Sequence, residues 1–339
     1  MHVDERQQEL EIWLEAIFCS NNFSYEPASS DASFRRYFRV LHNEESFVVM
    51  DAPPDKEDCV PFVNVAQLLR DHGVQAPKIH HKTLQQGFML LGDLGSQSYL
   101  DALTELTVET LYKDATNVLH HLHDIPTATL NLSSYTEDLL YQEMDLFSEW
   151  FLQGLLKRQL NESDQLVLAD VQSKLADSAL QQPQVFVHRD YHSRNLMVTK
   201  VDNPGVIDFQ DAVVGPITYD LVSLYRDCYI VWPDAKIYTW LDAFLSARAD
   251  SGIKDSFKTQ QFYQWFDWMG VQRHMKAIGI FSRLFLRDDK AGYLGDIPRT
   301  LNYVINVCDR YPELMPLKEL IVKHSVKERV DELLASLIQ

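Results

Sequence analysis

The chain has 339 residues, 46% hydrophobic and 24% charged, a balance typical of a globular protein with one large core or two lobes. Its 31 basic and 49 acidic residues give a formal net charge of −18, which disfavours nucleic acid and anionic membranes as partners. The four cysteines form no metal-like cluster, so we expect no zinc and no disulfides, and a cytoplasmic location. The first residues are polar and acidic, unlike a signal peptide, and no apolar stretch has the length of a membrane span.

The first quarter of the chain alternates between helical and strand-like spacing. Leu10, Trp13, Leu14 and Ile17 recur at helical intervals, and short β-branched or aromatic runs follow them. The pattern predicts a helix at 4–20, a hairpin from 37–40 and 46–50, a helix at 62–71, and a hairpin from 77–81 and 87–91. These elements indicate a small β-rich N-terminal lobe over residues 1–91.

Closely spaced glycines at 92 and 95 predict a hinge or connector over residues 92–98. Longer helical patterns follow it, with three short strand-like runs at 185–187, 196–198 and 205–207. The predicted helices cover residues 108–123, 136–160, 162–180, 217–229, 233–248, 257–286 (with a possible break near Gly270 or Gly279) and 298–311. The chain is therefore predicted to have an α+β fold of two lobes, with a larger, mainly helical lobe over residues 99–339.

Residues 188–195 read His-Arg-Asp-Tyr-His-Ser-Arg-Asn, and residues 207–209 read Ile-Asp-Phe. This spacing resembles the catalytic loop and metal-binding Asp-Phe of protein kinases. Phosphoryl transfer needs an oriented hydroxyl and cations that neutralise developing charge. We therefore predict Asp190 as the catalytic base, Asn195 and Asp208 as Mg²⁺ ligands, and ATP as the donor. Ordinary turn residues are the alternative, but the joint spacing argues against it.

The lobe order also favours a bilobal protein-kinase-like fold, with a nucleotide in the cleft between the lobes and the connector backbone at the adenine edge. The strand lysine of protein kinases is missing, because Met50 stands in the comparable run, and the helix at 62–71 holds no glutamate. A glycine-rich loop is also missing. The predicted nucleotide-binding residues are Ser33, Phe34, Arg35, Arg36, Val48, Met50, Leu90, Leu91 and Gly92.

Arg35 or Arg36 is our candidate for the missing cation near the phosphates. Strand alternation would turn the two side chains to opposite faces, so only one is expected to point at the nucleotide. The alternative is that both are solvated surface arginines.

Finer features resemble the aminoglycoside phosphotransferase/choline kinase-like superfamily more than protein kinases. They are the second histidine of the loop, the run Ile207-Asp208-Phe209-Gln210-Asp211-Ala212, Gly215-Pro216 and Tyr219-Asp220-Leu221. Within it, the chain is most similar to bacterial anomeric kinases of N-acetylmuramate and N-acetylglucosamine, which serve peptidoglycan recycling. The segments that carry this similarity are residues 31–37, 49–54, 272–276, 279–281, 293–294 and 298–299.

The resemblance implies transfer of the ATP γ-phosphate to the anomeric hydroxyl of an amino sugar, giving the sugar 1-phosphate. Candidate substrate residues are Asp211, His192 and Arg273, the last suited to a sugar carboxylate such as the lactyl group of muramate. For Arg273, and for His274 and Lys276 beside it, a solvated helix face is the alternative. Asp220 is predicted to hold the catalytic-loop backbone and to cap a helix.

Two other functions remain open at this point. An aminoglycoside, choline or similar amine kinase would need a carboxylate or aromatic cluster, for which Asp288, Asp289 and Asp296 are candidates. A non-catalytic pseudokinase would explain the missing lysine but not the intact set of Asp190, Asn195 and Asp208. The sequence makes no prediction about oligomeric state.

Overall fold

A computed structural model describes residues 5–29, 34–253 and 256–337. The chain forms two compact units. One consists of Met1–Ala115 with Arg194–Asp211, and the other of Thr116–Ser193 with Ala212–Gln339. Residues 99–115 and 194–211 thus group with the N-terminal unit. The sequence predicts a different division, with one boundary at the connector over residues 92–98. The lobe assignment itself stays a prediction.

The main helices and strands follow the chain in this order. The helices are α1 Glu5–Phe18, α2 Val60–Asp71, α3 Tyr99–Ala102, α4 Val108–His123, α5 Glu137–Leu146, α6 Glu162–Leu180, α7 Tyr219–Tyr225, α8 Asp234–Asp250, α9 Thr259–Asp288, α10 Ile297–Cys308, α11 Met315–Lys323 and α12 Val326–Leu337. A π-helix, Phe147–Leu155, continues α5, and short 3₁₀ turns cover Thr127–Thr129, Ala291–Asp296 and Pro312–Leu314. The strands are β1 Ser24–Ser29, β2 Arg36–His42, β3 Glu45–Asp51, β4 Ile79–Thr83, β5 Phe88–Gly92, β6 Gln184–Val187, β7 Leu196–Met197, β8 Gly205–Val206 and β9 Val213–Pro216.

The first unit is built on an antiparallel five-stranded sheet of order β1-β2-β3-β5-β4. Both predicted hairpins are present in it. One face packs on α1, where Leu10 and Leu14 meet Val49 and Leu90 in a core from which water is excluded. The apolar residues of α1 recur at helical spacing and so form one face of the helix. Burial of this face against the sheet stabilises the packing of α1. The α+β class predicted from the sequence is confirmed.

Strand β1 was not predicted. Its sequence, Ser-Tyr-Glu-Pro-Ala-Ser, lacks apolar alternation and contains Pro27. Proline cannot donate to a ladder, so a strand that contains it belongs at a sheet edge. The strand does lie at the edge, pairing only with β2, and the register shifts between Pro27 and Ser29.

Helix α9 runs unbroken from Thr259 to Asp288, so the helix has no break near Gly270 or Gly279, where the sequence allowed one. Gly279 serves a close approach of backbones instead. A Cβ built on it would lie 2.4 Å from the carbonyl carbon of Leu146, at the end of α5. Glycine is therefore used here for packing, which sequence spacing cannot distinguish from a helix break.

The segment around the kinase-like motif contains the smallest sheets. β6 pairs with β9 in the second unit, and β7 pairs with β8 in the first. The predicted helix at 217–229 is shorter, Tyr219–Tyr225, and the predicted helix at 136–160 ends as the π-helix at Leu155. Among the described residues, no helix combines the length and the apolar character needed to cross a membrane.

Candidate active site

The catalytic-loop backbone is held by one buried carboxylate. Asp220, in the first turn of α7, accepts hydrogen bonds from the backbone N–H groups of His188 at 2.7 Å and Arg189 at 3.1 Å. Burial raises the pKa of Asp220 to about 7, although these two bonds act in the opposite direction. The predicted loop-holding contact is confirmed. The predicted helix cap is not: the residue that precedes the helix is Thr218, whose own side chain makes no cap bond.

His188 is fully buried and has a local role as well. Its Nδ1 accepts a hydrogen bond from the backbone N–H of Asp190 at 3.2 Å. Arg189, between them, adopts the left-handed backbone conformation with a φ of 76°. For a bulky residue this conformation is costly, so it persists only where the surroundings impose it. The anchors on either side of Arg189 therefore fix the direction in which Asp190 projects.

Asp190 lines a cavity within the second unit. The cavity is also lined by His192, Tyr219, Arg273, Lys276 and Phe281. Burial alone would raise the pKa of the Asp190 carboxyl, but Lys276, His192 and Arg273 outweigh it and lower the pKa to about 2. Asp190 is therefore a carboxylate at neutral pH, able to accept a hydrogen bond from a hydroxyl.

Arg273, His274 and Lys276 are all buried, at 5%, 1% and 8% exposure, so the alternative of a solvated helix face is wrong. Long-range packing explains the difference. Helix α9 is covered by α5, α6, α7, α10 and the π-helix, which leaves few of its sides to solvent. A helix covered on several sides must bury its polar residues too.

A second buried carboxylate, Glu143 on α5, was missed by the sequence analysis. It forms ion pairs with Lys276, at 2.9 Å, and with Arg189. Lys276 also donates to the Tyr219 hydroxyl at 3.0 Å, and Gln272 donates to Glu143 at 3.2 Å. The only sequence signal was a glutamate at a position where an amphipathic helix should be apolar, and such a signal does not name its partners.

In the first unit, Asn195 and Asp208 lie together. The Asn195 Nδ2 donates to an Asp208 carboxylate oxygen at 3.2 Å, and the Ile207 N–H donates to the Asn195 carbonyl at 3.1 Å. Gln210 donates to the other Asp208 oxygen at 2.9 Å. The β7–β8 pairing thus joins two residues that are 13 positions apart in the sequence.

These oxygens fit a hard cation. Magnesium keeps several waters, uses one or two protein oxygens, and takes the rest of its ligands from phosphate. Within residues 5–29, 34–253 and 256–337 there is no group of three His, Cys, Asp or Glu side chains arranged for a metal. The Asn195–Asp208 pair is therefore suited to a metal that arrives with a phosphate ligand, rather than to a closed structural site.

The predicted nucleotide residues divide between the two faces of the sheet. Val49 and Leu90, paired across β3 and β5, face α1. By strand alternation Val48, Met50 and Leu91 share the opposite face, so the Leu90 side chain is not available to a ligand there. Ser33 lies outside the described residues, Phe34 is 65% exposed, and Gly92 ends β5.

The two candidate cations have different partners. Arg36 pairs with the buried carboxylate of Asp51, at 2.5 Å, and Arg6 of α1 pairs with the same group. Arg35 pairs with Glu57 at 2.9 Å. Burial lowers the pKa of Arg35, but the negative fields of Tyr37, Glu57, Asp208 and Asp211 outweigh it and raise the pKa. Arg35 therefore lies in the electrostatic field of Asp208, a predicted metal ligand. Arg36 instead shares the Asp51 carboxylate with Arg6 of α1.

The predicted substrate residues are divided between the two units. Arg273 and His192 line the cavity with Asp190, and the His192 ring lies edge-on to Tyr229 at 5.2 Å. Asp211 belongs to the first unit, is exposed, and accepts a bond from Gln210 at 3.3 Å.

Comparison with known proteins gives three kinds of match: a family model, relatives in sequence, and solved structures of the same fold. The model of the phosphotransferase enzyme family (APH) matches residues 24–254. The chain is 44% identical over 330 residues to an N-acetylmuramate/N-acetylglucosamine kinase of Pseudomonas putida, covering 94% of this chain and 97% of that protein.

Two solved structures share the fold at low identity. The Plasmodium vivax ethanolamine kinase superposes with a TM-score of 0.62 at 12% identity, covering 90% of this chain and 87% of that one. The ADP-bound aminoglycoside phosphotransferase APH(2'')-Ib gives 0.57 at 16% identity, with 88% and 97% covered.

Proposed function

Since the chain belongs to the phosphotransferase enzyme family, we propose that it transfers the γ-phosphate of ATP to the anomeric hydroxyl of N-acetylmuramate or N-acetylglucosamine. The product would be the sugar 1-phosphate, as needed in the recycling of cell-wall amino sugars. The name of the Pseudomonas putida relative supports this acceptor, and the ADP-bound phosphotransferase supports an adenine nucleotide as donor. All four cysteines are free thiols, which agrees with the cytoplasm, where ATP is available.

The observation that carries the proposal is the charge around Asp190. Its cavity presents Arg273 and Lys276, and the carboxylate is held ionised by them. Such surroundings suit a neutral or anionic acceptor and oppose a cationic amine. Of the acidic residues that an amine kinase would need, Asp288 pairs with Arg287 and Asp296 with Arg299, and Asp289 does not line the cavity with Asp190.

Each predicted residue then has a separate task. Asp190 accepts a hydrogen bond from the anomeric hydroxyl, orients it and takes its proton late, which suits a weak base because an anomeric hydroxyl is more acidic than an ordinary alcohol. Asn195 and Asp208 would hold Mg²⁺, which neutralises charge on the phosphates when it is bound. Val48, which is partly exposed on the face of β3 opposite α1, would offer an apolar surface for the base, with Met50 and Leu91 buried on the same face; Arg35 is the cation assigned to the phosphates.

The decisive experiment offers the protein Mg²⁺-ATP with a panel of N-acetylmuramate, N-acetylglucosamine, choline and an aminoglycoside, and identifies the product by phosphorus NMR. We expect sugar 1-phosphate from the two amino sugars. Asp190→Asn should lower turnover by about 10² to 10⁴, the usual contribution of a positioned proton acceptor.

The matched control is Asp170→Asn, the same change at an exposed aspartate of α6 that pairs with Lys174, and it should leave turnover unchanged. Phosphorylation of the amines alone would overturn the proposal. So would sugar phosphorylation that persists undiminished in Asp190→Asn.

A further inference from the structure

Arg273 lacks the acidic partner that two other buried cations of the second unit have. Lys276 has Glu143 at 2.9 Å, and Arg226 has Asp267 at 2.7 Å. Across the part of the chain that the structure describes, no carboxylate lies within ion-pairing distance of the Arg273 guanidinium. Its one hydrogen bond runs from Nη1 to the Cys228 sulfur at 3.7 Å, and its Nε has no acceptor.

Such an arrangement is costly for the empty protein. A guanidinium carries five N–H donors, and a thiol sulfur is a weak acceptor for one of them. Withdrawing an ion from water is unfavourable unless a counter-charge and hydrogen bonds replace the lost solvation. Arg273 does not avoid this cost by losing its proton. Burial lowers the pKa of Arg273, but the fields of Cys228, Tyr219, Asp190 and Asp227 outweigh burial and raise it.

The position of Arg273 indicates what its partner would be. It lines the same cavity as Asp190, so a molecule whose hydroxyl meets Asp190 lies within reach of the guanidinium. The remaining walls include Tyr229 and Phe281, whose rings are 6.3 Å apart and suit the apolar face of a sugar. A guanidinium fork matches a planar carboxylate in two parallel hydrogen bonds.

We propose that Arg273 binds the carboxylate of an anionic acceptor, namely the lactyl carboxylate of N-acetylmuramate, and so sets the preference for that sugar over N-acetylglucosamine. The inference rests on the proposed function, since both sugars must be acceptors. N-acetylglucosamine lacks the lactyl group and leaves the guanidinium without a counter-charge.

The test separates the charge of the ligand from its shape. Values of kcat/KM are measured for N-acetylmuramate, for its lactyl amide, which is neutral and nearly isosteric, and for N-acetylglucosamine. The wild type should prefer the acid over the amide. Arg273→Met should reduce this acid/amide preference by about 10- to 100-fold, as expected for a charge-assisted hydrogen bond.

Arg283→Met is the matched control, the same substitution on the same helix at a residue that does not line the cavity, and it should keep the preference. Arg273→Lys keeps the positive charge but loses the two parallel N–H donors of the guanidinium, so it should reduce the acid/amide preference by less than Arg273→Met does. If Arg273→Met does not fold, the same measurement is made on Arg273→Lys.

An acid/amide preference that is unchanged in Arg273→Met would overturn the inference. If the preference is unchanged because kcat/KM falls equally for all three sugars, the guanidinium would be assigned to the transferred phosphate instead. If the wild type phosphorylates neither sugar, the proposed function fails first. In that case the inference is tested by calorimetry, which measures how tightly the wild type binds N-acetylmuramate and its lactyl amide without ATP. Equal affinities for the acid and the amide would overturn the inference.

Discussion

Replacing Glu143 by glutamine would remove the negative charge that lies between Lys276 and Arg189. The carboxylate is 5% exposed and contacts both cations, so the variant would leave the buried Lys276 and the partly buried Arg189 without this counter-ion. Removing one partner of a buried ion pair costs about 3–5 kcal/mol. With a denaturant slope of about 3 kcal/mol/M, the urea midpoint of unfolding should fall by about 1 to 2 M.

The pH dependence of the loss has a definite sign. Burial alone would raise the pKa of the Glu143 carboxyl, but Lys276 and Arg189 outweigh burial and lower it. The folded state therefore holds the charge to lower pH than the unfolded chain does. The stabilisation is present above the ordinary glutamate pKa of about 4.3 and is lost as pH falls through the lowered value. The gap between wild type and Glu143→Gln should narrow as the pH falls below about 4.

Urea titrations at several pH values, read by circular dichroism, measure both effects. Glu149→Gln in the adjoining π-helix is the control, because Glu149 is exposed, and its midpoint should move by an amount equivalent to less than about 0.5 kcal/mol. Equal midpoints for the two variants at neutral pH, or a gap that does not change with pH, would refute the assignment of a charge-balancing role to Glu143.

Two further variant pairs test other parts of the molecule. Arg35→Met should raise the KM for ATP or lower turnover, whereas Arg36→Met should mainly lower the unfolding midpoint, because Asp51 loses one of its two cations. Identical ATP kinetics in the two variants would contradict the assignment of Arg35 to the phosphates. Gly279→Ala should destabilise by about 1–3 kcal/mol, because its Cβ would overlap Leu146, while Gly292→Ala, with open space around it, should not; equal thermal midpoints would rule out the close approach.

The elements predicted most accurately are those whose signals are local. Helices at 108–123 and 162–180 match α4 and α6 to the residue. In α6 the start is marked in the sequence, since Asn161 and Asp164 form a capping box there. The kinase-like motif is local as well, because Asp190, Asn195 and Asp208 lie within 19 residues of one another.

The features that could not be predicted from the sequence depend on residues far apart in the chain. Glu143 and Lys276 are 133 positions apart, and no local pattern announces that one balances the other. Strand β1 gains its hydrogen bonds from β2 rather than from its own apolar pattern. The burial of Arg273 follows from the helices that cover α9, which a single helix's spacing does not reveal.

The first unit is made of two pieces of chain separated by 78 residues, Met1–Ala115 and Arg194–Asp211. The Val206 N–H donates to the Gln75 carbonyl at 2.8 Å, and the Val198 N–H donates to the Gln97 carbonyl at 2.9 Å. During translation, each of these donors is synthesised about 100 or more residues after its acceptor. At roughly 5–20 residues per second, this delay is about 5 to 25 seconds. The N-terminal sheet therefore emerges from the ribosome before the segment that completes its unit. A nascent chain stopped near residue 115 should be more exposed to proteases and chaperones than one that extends past residue 211.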